Sequence, residues 1–249
     1  MQERKYRNPP IVEVICEFRF QPTPQWDATA LGLVYKRLEA DFPLRRPLRQ
    51  VGVQVQMGPE LLSFQQQLEE GMRFLRRDER AFVQLQPHRI SIHHLAPYPH
   101  WEGFKPLIQK GYQAYRAELP ESRLRRIGLR YINRVALPDP HADLSEYFTI
   151  YPFIGPGLPQ DFSAFGLYLL FTFEKDRDAL HLRLGSEQPG EEGFSTVLLD
   201  LDYFLVQEDS IPTQEALDWI EQAHQHILSV FESIITDRLR EQFGEKEEL

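Results

Sequence analysis

The residues best able to do chemistry in this chain fall into three groups. The densest is the run Ile92-His93-His94-Leu95-Ala96-Pro97-Tyr98-Pro99-His100-Trp101, with His88 shortly before it. Successive side chains of a strand point to opposite faces, so His93 and His94 cannot chelate one metal as neighbours. A zinc site would need one of them with His88 or His100 and a further ligand. No CxxC or HExxH spacing supplies it, and neither a metal nor a cofactor is expected. In the plainer arrangement one histidine is buried and one exposed, Pro97 and Pro99 shape a rigid connection, and Trp101 anchors the helix that follows. Alternatively His93, His94, Tyr98 and Trp101 touch a ligand or partner, since aromatics and histidines on a rigid loop suit recognition.

The second group is Asp200-x-Asp202, two carboxylates on one face of a strand. They could hold a divalent ion or share a proton. His181-x-Arg183 on the preceding hairpin strand can lie opposite them, and cross-strand ion pairing needs no further assumption. The third group is the arginine-rich strand Arg123, Arg125, Arg126, Arg130 and Arg134 with Asn133. Arg126, Arg130 and Arg134 share a face that could present charge to an anion. Ion pairing is the favoured reading, with Glu13 and Glu17 as the obvious partners. Cys16 sits among Val12, Val14, Phe18 and Phe20 at every second position, which reads as a buried core thiol rather than a nucleophile. Gly155-Pro156-Gly157 lacks the lysine and the strand–helix context of a phosphate loop.

The elements that must position these groups follow from hydrophobic period. Residues 10–20 alternate as a half-buried strand. Asp27 can cap a helix running to about Asp41. Val51, Val53 and Val55 mark a second strand, and Gly58-Pro59 a turn. Further strand signals lie near Leu61–Phe64, where glutamines leave helix or loop open, and around Met72–Phe74, Phe82–Leu85 and Arg89–Leu95. Trp101–Leu119 reads as a helix. The pattern then begins again: a strand over Leu124–Leu137, a short helical segment over Leu144–Phe148, a Pro/Gly-rich loop over residues 152–161, and strands at about 164–174, 179–185 and 194–206. A closing helix over about 213–243 would be about 45 Å long, with a stripe from Ala216 to Ile235 broad enough to cover a sheet.

Pro22-x-Pro24-x-x-Asp27 returns as Pro138-x-Pro140-x-x-Asp143, suggesting a duplicated β-α-β(3–4)-α unit with halves 8–120 and 121–245. The alternative is the ordinary alternation of an α+β chain. The expected fold is a single compact α+β domain over 1–249. Its antiparallel sheet or sheets carry long helices packed on one face, in a helix-grip or TATA-binding-protein-like arrangement.

Composition bounds the function. The 249 residues hold 42% hydrophobic and 12% aromatic side chains, one cysteine and a net charge of −9. These values exclude a disordered chain and a disulfide scaffold. No apolar run approaches the roughly 18 residues of a membrane span. The N-terminal segment, with Pro9-Pro10 ahead of an alternating strand, does not read as a signal peptide, so a cytoplasmic protein is expected. The acidic excess argues against a dedicated nucleic-acid binder. It is unevenly spread, however: residues 187–249 carry 3 basic and 16 acidic side chains, whereas residues 1–120 carry 17 basic and 13 acidic.

Asn8-Pro9-Pro10-Ile11-Val12-Glu13-Val14-Ile15-Cys16-Glu17-Phe18-Arg19-Phe20 resembles the N-terminal signature of a sporadically distributed family of uncharacterised prokaryotic proteins. Arg126-Ile127-Gly128-Leu129-Arg130-Tyr131-Ile132-Asn133-Arg134 resembles that family's second signature. The resemblance spans essentially the whole chain. It implies no activity and no catalytic residues; scattered distribution implies the gene behaviour of an accessory or defence-associated protein.

No catalytic set is assigned. The expected function is non-catalytic binding or regulation, as part of a mobile stress or defence cassette, with another protein or a second copy of the chain as partner. His93, His94, Tyr98, Trp101, Arg130, Arg134, Asp200 and Asp202 are the candidate contacts. An enzyme built on His93, His94, Arg130, Asp200 and Asp202 is the second reading. Nucleic-acid binding through the arginines of the first two-thirds is the third.

Overall fold

The computed structural model describes residues 4–23, 26–57, 62–139, 142–160, 162–187 and 196–244. Pro24, Gly58, Pro59, Leu61 and Pro140, on which some turn and repeat readings draw, lie outside these. The elements run β1 (Ile11–Phe20), α1 (Ala28–Leu38), β2 (Leu44–Met57), β3 (Leu62–Leu75), β4 (Ala81–Gln86), β5 (Arg89–Leu95), α2 (His100–Glu118) and β6 (Leu124–Ala136). There follow β7 (Gly166–Phe173), β8 (Asp178–Ser186), β9 (Thr196–Leu205), α3 (Ala216–Ile234) and α4 (Asp237–Phe243). The fold is α+β with a large antiparallel sheet. Two compact units divide the chain: Met1–Ile15, Leu95–Tyr98 and Arg126–Leu249 form the first, Cys16–His94 and Pro99–Arg125 the second.

In the second unit β2, β3, β4 and β5 pair antiparallel in that order. The glutamine-rich stretch that leaves its structure open in sequence is part of one strand, β3, paired along its whole length with β2. Cross-strand pairing overrides weak local preference here. Asp27 caps α1 by accepting from the Thr29 and Ala30 amides at 2.7 and 3.0 Å, bonds that hold its carboxyl below the usual range. Tyr35 of α1 meets Phe74 of β3 at 4.7 Å. On α2, a Cβ at Gly111 would lie 2.8 Å from Ile92 Cγ1, so the glycine lets the helix approach β5. Phe18 and Phe20 of β1 meet Tyr112 and Tyr115 at 4.5 and 4.2 Å. Cys16 is buried, and burial pushes its thiol pKa well up, which leaves it protonated and inert.

In the first unit the order is β6, β9, β8, β7, all antiparallel. One face is apolar: Leu129, Tyr131 and Val135 of β6, Leu199, Leu201 and Tyr203 of β9, and Leu180, Leu182 and Leu184 of β8 are buried. Helix α3 packs on this face through Trp219, Ile220, Ala223, His224 and Ile227. Beneath it, Tyr131 Oη bonds His224 Nδ1 at 3.0 Å and Tyr98 Oη at 3.0 Å.

The single closing helix expected from the stripe is two helices. A three-residue turn of 3₁₀ helix precedes α3, which is 19 residues long, and the chain then goes extended at Ile235. The β-branched run Ile234-Ile235-Thr236 favours extended backbone. It is held there by a bridge between Ile235 and Phe148, with Thr149 donating to the Ile234 carbonyl at 2.7 Å and Thr236 to that of Tyr147 at 3.0 Å. Helix α4 then ends at Gly244, whose φ of +69° suits glycine. Its last turn receives the N-terminal segment: Arg7 and Asn8 amides donate to the Gly244 and Phe243 carbonyls at 2.8 and 2.9 Å. Tyr6 donates to Glu232 at 2.7 Å.

Asp178, 1% exposed, opens β8. It accepts from Trp219 Nε1 of α3 at 3.1 Å, Tyr203 Oη of β9 at 3.1 Å and Arg177 Nη2 at 2.7 Å. These donors compensate a carboxylate that would otherwise be costly to bury. Replacing Asp178 with alanine is expected to cost about 3–5 kcal/mol, because three buried or half-buried donors lose their acceptor. Asp178→Asn should cost less, since its amide oxygen still accepts. Urea denaturation followed by tryptophan fluorescence reads both.

Candidate functional site

Strand alternation decides which side chains reach the other face of the first unit's sheet. Register pairs Arg130 with Asp202 and Ile132 with Asp200 across β6 and β9. It pairs His181 with Asp202 and Arg183 with Asp200 across β8 and β9, and Tyr168 with Arg183 across β7 and β8. Arg126, Arg130, His181, Arg183, Asp200, Asp202, Phe204 and Tyr168 therefore share one face, opposite to the one α3 covers.

Asp200 is the acceptor at its centre. Arg130 donates to it in a two-pronged bond, Nε to Oδ1 and Nη2 to Oδ2, both 2.7 Å. Arg183 Nη1 approaches Oδ2 at 3.4 Å. The planar guanidinium fork matches the carboxylate, the strong form of such a pair. Asp200 keeps 11% of its side chain exposed, against 34% for Arg130 and 49% for Arg183, so the arginines are the groups a solute meets. The aromatic rings carry the charges: Arg126 lies 4.6 Å from the Phe204 centroid and Arg183 5.6 Å from that of Tyr168. His181 touches both rings, Phe204 at 4.7 Å and Tyr168 at 5.2 Å.

Asp202 and His181 are displaced in opposite senses. Burial raises the Asp202 carboxyl above its ordinary value, against the pull of Arg126 and Arg130 and with the push of Asp200. Burial lowers His181, partly opposed by Asp202. Both shifts favour the neutral forms. Arg130 is held more firmly protonated, chiefly by its bonds to Asp200, with Asp202 and Glu13 adding to the hold.

The candidate residues divide between the two units. Arg130, Arg134, Asp200, Asp202 and Tyr98 belong to the first; His93, His94 and Trp101 to the second. Arg130, Asp200 and Asp202 come together. Arg134 stands further along β6 and pairs with Glu187, its Nε 2.7 Å from Oε2. Tyr98 spends its hydroxyl on Tyr131. Trp101 is buried beside Phe104, ring centroids 6.4 Å apart. The expected exposed histidine is not found: His93 and His94 are 7% and 8% exposed, because β5 is covered on both faces. His93 stacks on Phe82 at 4.4 Å and shares a hydrogen bond with Ser91 at 2.9 Å. Of the acids expected to partner the arginine strand, Glu17 pairs with Arg19 at 2.6 Å and Arg89 at 3.8 Å, while Glu13 adds to the hold on Arg130, whose two-pronged partner is Asp200. Among the described residues, no group of three His, Cys, Asp or Glu side chains is placed to hold a metal.

Arg183, His181, Tyr168 and Phe204 are site residues that sequence reasoning undervalued. The signal was the hairpin register: once His181 stands opposite Asp202, every second residue of β7, β8 and β9 joins the same face. Asp178 gave no signal, since its donors arrive from Trp219, 41 positions away, and Tyr203.

Arg130→Ala should destabilise the protein by about 1–3 kcal/mol, because Asp200 keeps only the longer Arg183 contact. Arg130→Lys should recover part of this, lacking the fork. Asp202 gives a pH test. Its folded pKa lies above the ordinary 3.8, so the native state binds its proton more tightly than the unfolded chain. Its contribution to stability is complete below that value and is lost as pH rises through the folded pKa. Asp202→Asn is therefore expected to raise the melting temperature near neutral pH and flatten its fall above about pH 4, read by thermal melts across pH.

No family model matches the chain, and no curated protein does.

Proposed function

We propose that this is a cytoplasmic, non-catalytic binding protein whose recognition surface is the charged face of β6, β9, β8 and β7, and whose ligand presents an oxyanion, carboxylate or phosphate. The observation that carries the reading is the concentration of guanidinium on that face: Arg126, Arg130 and Arg183 surround Asp200 and a second carboxyl, Asp202, that burial raises above its ordinary value. An anion approaching Arg126 and Arg183 gains charge-assisted hydrogen bonds, and Tyr168 and Phe204 offer rings for an apolar or planar part of the same ligand. Because an anion disfavours ionised Asp202 and favours protonated His181, the protein takes up protons when an anion of fixed charge binds. No helix among the described residues is long and apolar enough to cross a membrane. The paired caps at Asp27 and Asp143 support a duplicated β-α-β(3–4)-α unit of the helix-grip kind, and the family resemblance supports membership of a mobile stress or defence gene set.

Calorimetric titration with inorganic phosphate and with a short dicarboxylate tests the reading. Binding is expected at low salt, and is weakened at least about tenfold, or 1.4 kcal/mol, by Arg126→Ala or Arg183→Ala. A wild type that binds neither anion removes it.

A second reading, acid–base catalysis, is favoured by one observation: Asp202 and His181 face each other across β8 and β9 with pKa values displaced toward one another. It requires turnover of a nucleotide or ester that Asp202→Asn abolishes.

A further inference from the structure

Strand β7 is anomalous in the first unit. Among the described residues it has a neighbour, β8, on one side only, so its other edge presents unsatisfied backbone donors and acceptors. Natural edge strands are usually guarded by charge, proline or a bulge. This one reads Gly-Leu-Tyr-Leu-Leu-Phe-Thr-Phe, with no charged side chain. Tyr168 and Leu170 on the charged-face side are 57% and 53% exposed, and Leu169 and Phe171 on the opposite side are each 40% exposed. The next strand inward differs: Leu180, Leu182 and Leu184 of β8 are at most 1% exposed. The apolar cover over β8 therefore stops short of β7.

The exposure extends into the preceding loop, where Phe153 is 88% and Leu158 64% exposed, with Tyr151 and Phe162 at 44% and 37%. Elsewhere among the described residues only Leu33, Leu95 and Val206 are large, apolar and exposed. The sequence from Tyr151 to Phe173 contains one charged residue, Asp161. At about 150–250 Å² for a fully exposed aromatic residue, and somewhat less for leucine, these eight residues together expose on the order of 800 Å², spread over both faces of β7 and the loop before it, a magnitude comparable to one partner's share of a standard interface, about 800 Å².

We propose that β7 pairs antiparallel with β7 of a second copy of this chain, forming a twofold dimer in which the sheet continues from one copy into the other. Self-pairing is what the strand's sequence suits. A twofold axis perpendicular to the sheet keeps like faces on the same side, so residues of equal parity stand opposite each other. Centred on Leu169, the pairing sets Tyr168 against Leu170 of the second copy on one face and Leu167 against Phe171 on the other. Centred on Leu170, it sets Leu169 against Phe171. Either register joins apolar side chains on both faces and opposes no like charges, which would be unfavourable. The dimer stands independently of the ligand reading. It also aligns the two charged faces, because Tyr168, the ring under Arg183, belongs to the pairing strand.

Sedimentation velocity and light scattering on the full chain at micromolar concentration test the proposal. The wild type is expected at twice the chain mass. Leu170→Lys and Leu169→Lys, both at already exposed positions, are expected at the chain mass with unchanged far-ultraviolet circular dichroism. Leu169→Cys or Leu170→Cys, whichever lies on the axis, is expected to form an interchain disulfide under mild oxidation, with buried Cys16 silent. A wild type at the chain mass, including one that shifts only when lipid vesicles or a foreign protein are added, overturns the second-copy assignment. A dimer that survives both lysine substitutions overturns the role of β7.

Discussion

The first unit is organised around a carboxylate that has lost its water. Asp178 begins β8, yet its oxygens are shared by a tryptophan on α3, a tyrosine on β9 and the neighbouring Arg177. Burying an acid is unfavourable unless every lone pair finds a donor, so the helix and two strands can adopt only the arrangement that brings those donors together. Hydrophobic burial alone would let α3 slide along its stripe, since leucine and isoleucine are poor at specifying register. The polar clamp converts a greasy contact into a defined one. The opposite face inherits the consequence: with α3 fixing which side of the sheet is core, strand alternation fixes which side chains are left to build the charged surface.

That surface shows how charge is managed when arginine rather than lysine is the cation. Arg130 can be held by both oxygens of Asp200 because its donors form a planar fork. Arg126 and Arg183 lean their flat guanidinium groups on Phe204 and Tyr168. The cations are thus held in place by rings as well as by acids. Asp202, set among them, feels desolvation more than attraction. On the proposed reading, an anion meets this face without breaking its principal ion pair.

Much of this was legible in sequence where one interaction range dominates. The alternation of Val14, Cys16, Phe18 and Phe20, the Asp27 cap, and the Trp101-to-Leu119 helix are local patterns, and the molecule follows them. The facing of Asp200-x-Asp202 by His181-x-Arg183 was readable because a hairpin carries its own register. What was not readable depended on distant partners. The Ile234-Ile235-Thr236 break requires Phe148, and an apolar stripe continues across it without interruption. The burial of both His93 and His94 requires cover on two sides of β5, whereas a strand in isolation suggests one. The fork between Arg130 and Asp200 joins two strands 70 positions apart, and no local pattern announced it.

The strap between Tyr6, Arg7, Asn8 and the end of α4 bears on the order in which the chain can be completed. Most of the second unit's residues are consecutive and emerge early from a ribosome. The first unit needs residues 6–8 and 243–244 together, so its N-terminal segment must wait until residues 243–244 are made. During synthesis, at about 5–20 residues per second, that segment spends roughly 10–50 seconds without its final partners. The unit that carries the charged face and the exposed β7 edge is therefore the last to close.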